Sequence, residues 1–563
     1  MVFDMLLKRR VISIILAAFA LFTIWHWWKL GQPVAVVDVP TDRLSCVSYA
    51  PYHKPHQTPL EQSTRISAAQ IEADLTSLAQ RFDCVRIYSV DQGLHEVPRV
   101  AQGLGIKVLL GMWIGRKQSD NEKELIRVVD LARKYPETIR AIVVGNEVLL
   151  RGEQPASAMK TYIERVKLAV PGMKVTYADV WEFWLRNREL ADVVSFVTVH
   201  ILPYWEDRPV DIDNGVGHVS HIYQHVKSEL NGKPIMIGET GWPSYGRQRQ
   251  GAVPTLVNQA RFIREFAVRA NLENIDYNVI EAFDQPWKRF QEGAVGGYWG
   301  LYDVADNPKF PFRGPVAESA SWSHAAFATM ALFFGLLLIQ HRRQIGLDSI
   351  LSLLVVSVIG GGACIGFWRE MDMANRSVIE WSYTGLYAGL QLASVFLLGG
   401  PLAAWISRGE AIPAIAPVSH LVRWARRNDQ SYDSVARLLG VLRGAFLFGA
   451  ALVCLLLVFD SRYRDFPLAL FVVPSLFMAL VAYVNGKSHS DLEEIVLAGW
   501  IGFAGLWIAV FEHIVISQHE PWGLGAGVNL HALAWAALCL GLAGSVLGPI
   551  FAELRTGQCQ HTQ

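Results

Sequence analysis

The feature that most constrains this chain is where its long apolar runs fall. Seven of them follow Trp322, at about 323–340, 348–368, 382–406, 439–459, 466–484, 494–516 and 528–551. Each is near the length needed to cross a hydrocarbon core of roughly 30 Å. An eighth run, residues 11–28, follows the basic triplet Lys8, Arg9 and Arg10 and ends in Trp25, Trp27 and Trp28. No small-x-small cleavage site follows it, and the tryptophans match an interfacial belt, so a retained anchor is expected rather than a signal peptide. His341, Arg342 and Arg343, and then Arg408, Arg423, Arg426, Arg427 and Arg437, fall on alternate connections. The positive-inside rule therefore puts both termini in the cytoplasm and exports the segment between the first two spans.

That exported segment has a different composition. Residues 40–318 carry frequent charges, whereas residues 320–551 are long apolar runs broken by short polar stretches, and the mean hydropathy of +0.24 and 19 Trp of the whole chain point towards lipid. A formal charge of zero and a pI near 7.3 supply no basic excess to neutralise phosphates, which excludes a nucleic-acid partner. The expected organisation is 1–39 as cytoplasmic tip and anchor, 40–318 as the exported domain and 319–563 as a polytopic membrane domain. Within the exported domain, short β-rich runs at 46–52, 84–90, 107–114, 139–148, 174–180, 193–203, 234–239 and 277–283 alternate with amphipathic stretches such as 68–81, 121–135, 156–170, 219–230 and 255–270. Eight such units in about 250 residues predict an α/β fold, a closed (β/α)8 TIM barrel. A doubly wound open sheet is the alternative, but no GxGxxG follows the first strand.

Two of these strands end in the same way. KPIMIGETGWPS at 233–244 is an apolar strand that stops at Gly238 and delivers Glu239 into a loop stiffened by Gly241, Trp242 and Pro243. AIVVGNEV at 141–148 ends in Gly145, Asn146 and Glu147. In a barrel the C-terminal ends of all strands share one mouth, so both carboxylates point into it. Two carboxyls across one cleft are the machinery of glycoside hydrolysis. Asn146 is placed to bond a sugar hydroxyl, and Tyr88, Trp113, Tyr204, Trp205, Trp242, Trp287 and Trp299 all fall at or beyond strand ends, where rings either stack on sugars or fill the core. Cys46 and Cys84, the two cysteines of the exported domain, start neighbouring strands; a disulfide and two buried thiols both remain open. No CxxC or His-rich cluster indicates a metal, and no cofactor is expected; scattered histidines such as His341, His489 and His513 carry no signal.

VGNEV and GETGWPS resemble the two catalytic signatures of glycoside hydrolase family 17, the β-1,3-glucanase family. The resemblance extends over about residues 45–303 through VSYAPY, VRIYSVDQ, KVLLGMWIG, HILPYW, EAFDQPWK and YWGLYD. It implies a retaining mechanism with Glu147 as acid/base and Glu239 as nucleophile, and glucan contacts from Tyr88, Asn146 and Tyr204, to which Trp242 and Trp287 are added as candidate stacking rings. A retaining pair should lie about 5–5.5 Å apart, and Glu147 should have a raised pKa. Plant members carry an acid and a lysine after the eighth strand; here Glu281-Ala-Phe-Asp-Gln-Pro-Trp-Lys288 leaves the acceptor side open between water and a sugar. This resembles a bacterial membrane-bound β-glucan synthase branch thought to remodel β-1,3-glucan by transglycosylation, forming branches or β-1,6 linkages. The implied setting is the bacterial inner membrane, with the barrel in the periplasm, a β-glucan substrate and a lipid bilayer around the spans. No DxD or QxxRW motif marks a sugar-nucleotide site. Arg369, Glu370 and Asp372, with Glu512 and His513, fall near span ends and are either interfacial residues or part of a surface that docks a glucan synthase or guides an emerging chain. The alternative from another class is a membrane assembly or transport protein whose barrel only binds glucan.

Overall fold

The computed structural model describes residues 2–319, 322–340, 345–427, 431–486, 490–515 and 527–556. The chain divides into two compact units, one built around residues 33–316 and one that joins residues 1–32 to the helices beyond residue 317.

In the first unit, eight parallel strands close into a barrel in sequence order: β1 (Leu44–Ser48), β2 (Phe82–Arg86), β3 (Lys107–Met112), β4 (Ile139–Asn146), β5 (Val175–Val180), β6 (Val197–His200), β7 (Ile235–Glu239) and β8 (Asp276–Val279). The strands carry apolar residues on both faces because both are covered. One face meets the surrounding helices in a continuous core, while Cys46, Cys84, Leu109, Ala141, Val143, Ala178 and Met236 fill the barrel's interior. Helix starts are set by local chemistry. Ser67, Asp211 and Thr255 each cap a helix, for Ala68–Leu78, Ile212–Glu229 and Leu256–Glu273, by accepting a backbone N–H with the side chain.

Two expectations need correction. The strand expected over 193–203 is only Val197–His200, because Leu190–Val193 forms a helical turn and the chain leaves the sheet after His200. The strand expected over 277–283 ends at Val279, where a cis peptide joins Ile280 to Glu281. The open cysteine question is also answered. Cys46 and Cys84 are direct partners in the β1–β2 register and form a disulfide, with Cα atoms 4.3 Å apart.

In the second unit, eight helices among the described residues are long and apolar enough to cross a membrane. They are Met5–Leu30, Trp322–Gln340, Leu347–Ala374, Val378–Arg408, Ser434–Phe459, Leu468–Asn485, Leu492–His513 and Leu530–Phe551. Each contains or overlaps an expected span. Of the residues used for the topology, His341, Arg342 and Arg343 lie outside the described residues, as does His489. Arg443 and Glu494, 3% and 1% exposed, pair through Nε–Oε1 at 2.8 Å and Nη2–Oε2 at 3.0 Å, which satisfies two buried charges at once.

Candidate active site

At the barrel's mouth β1, β2, β4, β6 and β7 end in the polar residues Ser48, Arg86, Asn146, His200 and Glu239. Register places Ser48 beside Arg86, and His200 beside Glu239. Gly238 makes the second pairing possible, since a Cβ there would sit 2.4 Å from Thr198 Cγ2 and 3.0 Å from His200 Cδ2. At β4 the register shifts between Val143 and Asn146, Gly145 takes φ +84° and Glu147 takes φ +51°. A left-handed non-glycine residue costs on the order of 1–3 kcal/mol and is held by its surroundings. Here the Glu147 N–H donates to Ala178 O at 2.8 Å. Buried Asp179 fixes the following turn by accepting from the N–H groups of Leu149 and Leu150 at 3.2 and 3.4 Å.

The result is a compact constellation. Oxygens of Glu147 and Glu239 and a ring nitrogen of His200 lie within 4.8 Å of one another. Glu239 is nearly sealed, its side chain 6% exposed, whereas that of Glu147 is 24% exposed. Arg86, itself buried, donates from Nη1 to Gly238 O at 2.8 Å and Glu239 Oε1 at 3.0 Å, and from Nη2 to Asn146 Oδ1 at 2.5 Å. The Tyr88 hydroxyl donates to Glu239 Oε1 at 2.9 Å and lies 2.9 Å from Ser48 Oγ, which accepts from Asn278 Nδ2 at 2.8 Å. His200, wholly buried, places Nδ1 3.2 Å from Glu147 Oε1 and Nε2 3.6 Å from Glu239 Oε1. Burial alone would push the Glu147 carboxyl up. The hydrogen bond and charge of His200, followed by the charges of Arg151 and Arg86, outweigh it and hold the group below its ordinary value. This reverses the expectation of a raised Glu147.

Beyond β8, Lys288 Nζ sits 3.1 and 3.0 Å from the two oxygens of Glu281. Burial raises Glu281 to about 7 against the pull of Lys288, with Glu292 and Glu239 adding to the rise. An acid and a lysine are thus brought together after the eighth strand although the intervening sequence separates them. Trp287, half-buried beside this pair, donates from Nε1 to Gln285 Oε1 at 2.7 Å, and Gln285 Nε2 is anchored on Ala50 O at 2.6 Å.

The other candidate rings divide. Trp113 is 40% exposed, with the Arg151 guanidinium 4.4 Å from its ring centre, and half-buried Trp205 stacks on Trp299 at 6.2 Å. Trp242 and Tyr204 are fully buried. Trp242 lies against Phe262 and Gly215 and donates from Nε1 to Val253 O at 3.0 Å; the Tyr204 hydroxyl donates to Arg247 O at 2.5 Å. Both are core residues under the mouth with no ring face open to a sugar, which corrects their placement as substrate contacts. Sequence reasoning missed Arg86 and His200; the signal was a polar residue in the last position of a strand, the place that Glu239 also takes.

Residues 46–300 match the family described as BtgE/BtgC glycoside hydrolase domain. The chain is 28% identical over 264 residues to a glucan 1,3-beta-glucosidase of Arthroderma benhamiae, covering 43% of this chain and 83% of that protein. It is 26% identical over 275 residues to the glucan endo-1,3-beta-glucosidase btgC of Emericella nidulans, covering 43% of this chain and 42% of that one, so it spans under half of that relative. Among solved structures, a glycoside hydrolase family 17 β-1,3-glucanosyltransferase from Rhizomucor miehei is 26% identical over 48% of this chain and 97% of that one, with a TM-score of 0.43. The barrel is similar to glycoside hydrolase domains. The matched segment is similar to enzymes named as β-1,3-glucan glucosidases and to a probable family 17 glucosidase of Saccharomyces cerevisiae.

Proposed function

We propose that this protein is a membrane-anchored retaining enzyme acting on β-1,3-glucan, with Glu239 as nucleophile and Glu147 as acid/base. The observation that carries the reading is the close approach of the two carboxyls, an oxygen of one within 4.8 Å of an oxygen of the other, with a guanidinium clamped on Glu239. A separation of about 5 Å leaves no room for a water between carboxylate and sugar, so the carboxylate itself attacks the anomeric carbon. Arg86 and Tyr88 donate hydrogen bonds to Glu239 and hold it aimed, which is what a nucleophile needs. Glu147 is the more open of the two, as an acid/base that must meet leaving group and acceptor has to be. Asn146, its amide oxygen taken by Arg86, offers the sugar its N–H groups. Trp287 supplies an acceptor-side ring, and an acceptor sugar held there intercepts the glycosyl-enzyme in place of water, giving transglycosylation and new linkages.

The eight apolar helices support an integral membrane protein, and the loop charges support a bacterial inner-membrane topology with a periplasmic barrel and cytoplasmic termini. A glucan synthase is the partner that would supply such an enzyme with substrate. The test is to give the full-length chain a laminari-oligosaccharide labelled at its reduced end and resolve products by size and linkage. Products longer than the donor support transfer, and only shorter ones mean hydrolysis. Glu147→Gln and Glu239→Gln should each lower the rate by at least about 10²–10⁴-fold. Full activity in either variant would overturn the assignment.

A further inference from the structure

Among the described residues, His200 is the side chain that reaches both carboxyls of the site. It does so from the last position of β6, wholly buried, with Gly238 leaving the space for its ring. Its Nδ1 stands at hydrogen-bonding distance from Glu147 and its Nε2 at ion-pair distance from Glu239. Arg86 Nη1 is 3.5 Å from Nε2, but it donates at shorter range to Gly238 O and Glu239, so it makes no demand on Nε2 as an acceptor. Only a ring protonated on both nitrogens faces both carboxylates favourably. The depression of Glu147 by this neighbour has the same sign.

We propose that His200 is a positioning residue that stores the acid/base proton, sharing a single proton with Glu147 across the Nδ1–Oε1 contact. This rests on the retaining reading given above. In the first step the proton passes from His200 Nδ1 to Glu147 and on to the leaving glycosidic oxygen, while Glu239 bonds to the anomeric carbon and the glycosidic C–O bond breaks. In the second step Glu147 takes the acceptor hydroxyl proton, the acceptor oxygen replaces Glu239 on the anomeric carbon, and the proton returns to His200. The cycle closes with no outside donor. An acid depressed below its ordinary value, a poor donor by itself near neutrality, is thereby recharged by its neighbour. The charged and titratable groups around the pair are Arg86, Tyr88, Arg151, Asp179 and Glu239 nearby, with Glu281, Lys288 and Glu292 behind Glu239; replacing His200 alone leaves all of them in place.

The test is the pH dependence of kcat/KM for the full-length chain and for His200→Asn and His200→Gln. Two donors are compared: a laminari-oligosaccharide, which needs a proton on its leaving group, and a 4-nitrophenyl β-laminaribioside, which does not. With the oligosaccharide the variants should lose activity at the alkaline end by about tenfold more than at the acid end, because a shared proton is held to higher pH than one on Glu147 alone. With the aryl donor the loss should be much smaller. A uniform loss on both donors, with the alkaline limb unmoved, means a packing role and overturns the proposal. Absence of glycosidic activity in the parent chain would overturn the functional reading instead, so the two failures are distinguishable.

Discussion

A nucleophilic carboxylate has to stay ionised in a nearly dry place, and a buried charge survives there only if it is paired and hydrogen-bonded. Glu239 meets that condition through one guanidinium and one phenol, both delivered by β2 and the turn after it. The two candidate tryptophans separate at the same scale. Trp242 is core and Trp287 is rim, although each adjoins a proline just past a strand. Trp242→Phe should lower Tm by several degrees and leave KM unchanged, because it opens a cavity away from the mouth. Trp287→Ala should raise KM or weaken transfer with little effect on Tm. Thermal melts and kinetics on the same preparations check both, and the opposite pattern would reverse the two roles. The meeting of Glu147 and Glu239 at one mouth was legible because a carboxylate at the end of a buried strand has few structural explanations. The burial of Tyr204 and Trp242 was not, since it depends on the helices Ile212–Glu229 and Leu256–Glu273 and the segment through Arg247 closing over them.

At the scale of elements, the segment after β5 shows how loops tune the barrel to pH. The helical turn Trp181–Arg186 carries Glu182, which burial and the facing carboxylates Glu206 and Asp207 push up to about 7. That lies above the ordinary carboxylate value, so ionisation works against the fold. The stabilisation is complete below about pH 4.5 and is lost as pH rises through about 7. Glu182→Gln, which cannot ionise, should therefore match the parent in Tm at pH 4.5 and exceed it at pH 8. An equal gap at both pH values would count against the assignment. The order of elements was legible from periodicity, and element ends were not. The backbone after β6 and β8 departs from the sheet where loop packing, rather than local propensity, decides. Bringing Lys288 onto Glu281 likewise needs the turn Pro286–Lys288, which no spacing rule announces.

At the scale of the molecule, a closed parallel barrel similar to glycoside hydrolase domains and a unit with eight long apolar helices among the described residues share one chain. The length and spacing of the apolar runs made the second unit plain from sequence, because little besides a bilayer accommodates so many runs of that length. The proposed retaining mechanism makes Glu239 the group that bonds to the anomeric carbon and Glu147 its acid/base. The most direct measurement is proton NMR of the first product formed when the full-length chain acts on a laminari-oligosaccharide, recorded before mutarotation. With Glu239 as nucleophile the new anomeric centre appears in the β configuration, as a stable glycosidic linkage after transfer or as a free reducing end that only later equilibrates after hydrolysis. An α product appearing first would mean single displacement by water, and would contradict the assignment of Glu239 as nucleophile.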